Sequence, residues 1–272
     1  MAKDGMIREP VVDWLTVIAI AAISISLTVA FHEGIHALTC VVVGGDLLEY
    51  SALYESCDSH TVTQAKLVAG SAPTLNLLAG IGLWIMIRKI KFQSSESWFF
   101  VWLLMMMNFC YGSGYFIFSG ISNIGDWAVV LEGWNPGWLW RGLMVLVGVA
   151  AYMIIIRLGL IELGKMIGGE KEEQVQRANK LCSISYITSF LVILFAGVFC
   201  PYGPLSLPVT AGVFASLGAL SPLIFMTRWF RTEHFDKVIK EPLEIHRKWG
   251  GIMAGIVVVF LYAFILGRTI YF

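Results

Sequence analysis

Long apolar runs alternate with short polar ones along the whole chain. Seven runs are candidates to cross a bilayer, at roughly 12–43, 65–87, 98–119, 137–158, 182–200, 207–227 and 250–268. The first is too long for one perpendicular crossing, so it must tilt or bury its far end against protein. After Gly44 and Gly45 the pattern changes. Two glycines end the helix, and Asp46-Leu47-Leu48-Glu49-Tyr50 partly alternates polar and apolar positions, which predicts a short strand or hairpin. The expected fold is an all-α polytopic membrane protein of about seven spans, with a short β-segment after the first helix.

Composition agrees with that pattern. The chain is 57% hydrophobic and 14% charged. With a mean hydropathy of +0.75, an ordinary soluble globule is excluded. The formal net charge is zero, so nothing points to nucleic acid. Lys3 and Arg8 precede the first run, and no small-residue cleavage site follows it, which predicts an anchor that stays. Loops 44–64, 120–136 and 201–206 carry no Lys or Arg, whereas loops 88–97, 157–181 and 228–249 are rich in them. The positive-inside rule then predicts a cytoplasmic N-terminus and an outward C-terminus, and the cell membrane is the expected location.

The first run carries His32-Glu33-Gly34-Ile35-His36, an HExxH motif. Residues 14–31 before it and 37–43 after it are uncharged, so the motif belongs to a helix at membrane depth. His32 and His36 stand at i and i+4 on one helix face, the spacing at which two imidazoles grip one zinc ion. Glu33 beside them is placed to act as general base. The bland alternative is a pair of packed histidines satisfied by backbone carbonyls.

A catalytic zinc needs a third protein ligand. The candidates are His60, Asp46, Glu49, Glu55, Asp58 and Asp126. Those at 46–60 lie in a polar loop, where solvated groups are the default. Asp126 follows Ser119-Gly120-Ile121-Ser122-Asn123-Ile124-Gly125, where glycines let the backbone leave helical geometry between two apolar spans. It reads either as a ligand or as a cap for the next helix. Pro73, within Gly70-Ser71-Ala72-Pro73-Thr74-Leu75-Asn76, predicts an interruption near the start of the second span. Asn76 reads either as a hydrogen-bonding group for a substrate backbone or oxyanion, or as a helix-packing amide. A strand edge beside the site would suit an extended peptide.

Together these residues resemble the site-2 protease family of intramembrane zinc metalloproteases. His32 to His36 matches that family's HExxH fully, and Ala72-Pro73-Thr74-Leu75-Asn76 matches its Gly-Pro-x-x-Asn-like motif with Ala in place of Gly. Asp126 stands at the family's aspartate position, with Trp127 where Gly is usual and Ser119–Gly125 in place of an Asn-x-x-Pro stretch. The likeness covers about residues 12–130. It implies a zinc site of His32, His36 and Asp126, Glu33 as the catalytic base, Asn76 on the substrate, and a membrane protein or peptide as the partner within the lipid bilayer. Residues 1–130 would be a catalytic three-helix core, and 131–272 additional helices of unknown role. A non-proteolytic membrane protein with a structural or vestigial zinc site is the alternative.

Three further expectations concern the remaining chain. Met105-Met106-Met107 reads as apolar packing. Cys57 and Cys200, both outward under the proposed topology, are expected to pair. The stretch 228–248, with Leu243, Ile245 and the adjoining Trp249 among its apolar residues, is expected along the cytoplasmic interface.

Overall fold

The computed structural model describes residues 11–168, 171–230 and 243–272. In it the apolar runs are helices: α1 Trp14–Val42, α2 Val62–Lys89, α3 Ser95–Ser122, a short α4 Asp126–Leu131, α5 Gly137–Ile167, α6 Lys171–Val198, α7 Leu207–Ala219, α8 Pro222–Phe230 and α9 Trp249–Leu261. Seven helical spans among the described residues are long and apolar enough to cross a membrane, α7 running on into α8 as one of them. Side chains such as Leu38, Trp138 and Leu146 are largely exposed on the outer faces of these helices. That exposure would be costly in water and suits hydrocarbon, and the chain is a multi-pass membrane protein.

The local chemistry of α1 explains its length. Asp13 caps it by accepting from the Thr16 backbone N–H at 2.9 Å. No proline interrupts the helix, and it ends where Gly44 takes a φ of +80°. The expected hairpin follows as β1, Asp46–Tyr50, and β2, Glu55–Asp58, antiparallel with Tyr50 opposite Glu55. A third strand, β3 at Ile270–Tyr271, pairs with the other side of β1. The sheet order β2-β1-β3 leaves β2 at the edge.

α3 is the most deeply packed span, held between α2 and α5, and Phe99, Trp102 and Met105 to Met107 are all fully buried. The packing expected of the methionine run is what the structure shows. α2 and α3 approach closely because Gly112 faces the Pro73 carbonyl and Leu77, where an added Cβ would come within 2.5–2.9 Å of existing atoms. Helix α2 also starts earlier than its apolar run, at Val62, and continues through Pro73 instead of being interrupted there. The lost backbone donor is tolerated within the tight α2–α3 contact.

Two other expectations are corrected. The disulfide joins Cys40 to Cys57, tying β2 to the end of α1, and Cys200 is a free, buried thiol. The hairpin folds back onto its own helix, which brings a near neighbour in sequence within reach before a distant one. Leu243 and Ile245 are buried in the core; the Ile245 carbonyl accepts from the Asp13 N–H, and Trp249 alone of these three is exposed. Residues 231–242 of that stretch lie outside the described residues. α6 and α9 pack directly on α1, and β3 completes the sheet begun by β1.

Candidate metal centre

His32 and His36 lie one turn apart on α1, with ring centroids 4.8 Å apart. Each ring is oriented through its Nδ1. That of His32 donates to the Asn76 Oδ1 at 2.6 Å, and that of His36 to the Val68 carbonyl at 2.8 Å. These bonds fix the tautomers and leave both Nε2 atoms free to act as ligands. The Asn76 amide is fixed in turn by donating to the Asn108 Oδ1 at 2.8 Å, and Asn108 donates to the Leu104 carbonyl at 2.9 Å. A chain of amides from α2 and α3 thus holds a histidine of α1.

Asp126 arrives from a different element. α3 ends with Asn123 in the left-handed region, and Gly125 has a φ of +88°, so the chain turns sharply before α4. Arg141 of α5 donates to the Gly120 and Ile121 carbonyls, fixing the start of this turn. Lys66 of α2 donates to the Glu132 carbonyl at the far end of α4. Asp126 is the first residue of α4, whose cap position is occupied by Gly125. The Asp126 Oδ2 stands 3.2 Å from the His32 Nε2 and 3.5 Å from the His36 Nε2.

These three residues are a group that could hold a metal ion. Donors about 2.0–2.1 Å from one tetrahedral zinc stand roughly 3.3 Å from each other. The two Asp126 distances match that spacing. Among the described residues the buried His32 Nε2 and Asp126 Oδ2 have no hydrogen-bond partner, the state expected of atoms whose partner is an ion. The donor set and the orphaned atoms therefore fit a metal ion.

The other ligand candidates are elsewhere. His60 faces Asp46 at 3.4 Å on the surface, Glu49 accepts from the Tyr202 hydroxyl at 2.6 Å, and Asp58 is exposed. Glu55 lies near the three-residue group without belonging to it.

A cavity of about 360 Å³ opens onto the group, and Glu33, His36, Glu55, Tyr115 and Asp126 all line it. Burial pushes the Glu55 carboxyl up to about 7, against the pull of His36, and Glu33 and Asp126 reinforce the rise. Tyr115 stacks on the His32 ring at 5.0 Å. Asn76 is fully buried with its amide committed to His32 and Asn108, so its place is behind the histidine and not against a substrate. Asn108 and Tyr115 were missed by sequence reasoning. Asn108 had a readable signal, an amide inside an apolar span; a tyrosine in such a span has none.

Comparison with protein-family models, with curated proteins and with solved structures finds no match.

Proposed function

We propose that the chain is an intramembrane zinc metalloprotease that hydrolyses a peptide bond in or near a transmembrane segment of a membrane protein. The observation that carries this reading is the group of three donor residues, with two orphaned donor atoms, of which His36 and Asp126 line a cavity together with Glu33. A purely structural ion closes its coordination with a fourth protein ligand and needs neither an open cavity nor a base. Zinc held by His32, His36 and Asp126 would supply Lewis-acid chemistry, acidifying a water and polarising a carbonyl.

The chain's own residues do the rest. Glu33 takes the proton of the attacking water and returns it to the leaving amine. Asn76 and the Val68 carbonyl hold the histidines in the tautomer that ligation needs. The Tyr115 hydroxyl, in the same cavity, donates to the carbonyl oxygen as negative charge develops there. β2, an edge strand whose residues line the cavity, pairs with an extended substrate backbone, and this favours a peptide over a lipid as the substrate. The basic loops support a cytoplasmic N-terminus, which would put the site toward the outer half of the membrane.

The test is the Glu33→Gln variant, assayed on single-span reporter proteins in proteoliposomes. It should keep one zinc per chain and lose cleavage by about 10²–10⁴-fold. Cleavage that survives at the wild-type rate overturns the mechanism. A wild-type protein that takes up no zinc overturns the metal centre.

A further inference from the structure

The cavity holds more carboxyl groups than hydrolysis requires. Glu33 and Asp126 have tasks in the proposed reaction, and Glu55 has none. Alternation along β2 explains how Glu55 comes to be there: Glu55 and Cys57, two residues apart on one face of the strand, both line the cavity. The disulfide from Cys57 to Cys40 fixes that face against α1. Among the described residues the buried Glu55 Oε2 has no hydrogen-bond partner, unlike the Glu49 carboxylate of the same hairpin. An unpaired carboxylate oxygen in such a place is costly unless something arrives to pair with it.

The surrounding walls indicate what arrives. Among the described residues, no Lys or Arg lines the cavity. A divalent ion would balance two of the three carboxylates and leave the third unmatched. α7 turns Pro208, Ala211, Gly212 and Ala215 toward the cavity, a set of small residues at helical spacing that leaves room for a slender side chain. Leu53, on the turn before β2, adds to this apolar wall. An aliphatic stem along such a wall, ending in a cation, describes lysine or arginine.

Resting on the protease reading above, we propose that Glu55 is a specificity residue that receives a lysine or arginine side chain of the substrate segment beside the scissile bond. The stem lies against Leu53 and the small face of α7, and the ammonium or guanidinium donates to the free carboxylate oxygen. A hydrogen bond to a charged group contributes about 1.5–3 kcal/mol, which corresponds to roughly ten- to a hundredfold in preference.

The experiment uses the full-length protein in proteoliposomes. Its probes are reporter proteins with one transmembrane segment, through which a single Lys, Leu or Glu is scanned. Two readouts are taken: cleavage by the zinc-loaded wild type, and retention of uncut reporter by Glu33→Gln. At one register of the scan, Lys should be favoured over Leu by about tenfold or more in both readouts. In Glu55→Gln the ratio should fall to near one, and in Glu55→Lys the Glu reporter should become the preferred one. Mass spectrometry of the Cys40–Cys57 disulfide checks that each variant keeps the hairpin. Equal handling of Lys, Leu and Glu by the wild type, or wild-type ratios in both Glu55 variants, overturns the role of Glu55 and leaves the protease reading standing. If the wild type cuts no reporter and Glu33→Gln retains none, the protease reading falls and the Glu55 proposal falls with it.

Discussion

Two carboxylates, Glu162 and Asp126, are placed by the same bundle in opposite circumstances. Glu162 of α5 has a side chain only 3% exposed and accepts from the Trp84 Nε1 at 3.1 Å, the Arg88 Nε at 3.1 Å and the Lys165 Nζ at 2.7 Å. It pins α2 to α5, and every cost of its burial is met by the protein. Asp126 is also largely buried, yet its Oδ2 meets two imidazole nitrogens and accepts a hydrogen bond from neither. The difference separates a structural acid from one that needs a further partner. A fold that satisfies Glu162 so fully can satisfy a buried carboxylate, so leaving Asp126 open has a stability cost that a bound ion would offset.

The sharpest way to break the comparison is to remove Asp126. Asp126→Ala and His36→Ala should each lose the zinc, measured by metal analysis of detergent-purified protein against one ion per chain in the wild type. Retention of zinc in Asp126→Ala would make the two carboxylates equivalent after all. A smaller effect is expected behind the ligand. Asn76→Ala frees the His32 ring and should weaken zinc binding by about 10–100-fold, read by competition with a chelator. Unchanged affinity would return Asn76 to simple helix packing.

The smallest effect should come from the other carboxylate. Glu162→Gln should lower stability by about 1–2 kcal/mol in mixed-micelle unfolding while leaving zinc content untouched. The cost is modest because Arg88 and Lys165 are each about half exposed and recover water as a partner. A loss of zinc in Glu162→Gln would show that the two ends of the bundle are coupled.

Much of this molecule was legible in one dimension. The seven spans came from the lengths of apolar runs, because a bilayer accepts little else. The hairpin came from two glycines and a change of period. His32, Glu33 and His36 were readable because a helix maps i and i+4 onto one face, so the geometry of that half of the site is local. Asp126 was harder. Its approach depends on the left-handed Asn123, the turn at Gly125 and the Arg141 and Lys66 contacts that hold α4 at both ends. The glycines announced a turn there but not its direction.

What the sequence by itself determined is therefore the membrane class, the span count and the two-histidine face of α1, all consequences of periodicity within single segments. Only the tertiary structure decided which acid meets those histidines, that Asn76 stands behind His32, that Cys57 bonds to Cys40, and that α6, α7 and α9 belong to the same bundle as the site. Each of these is a contact between segments, set by how closely helices approach. No property of either segment alone specifies that approach.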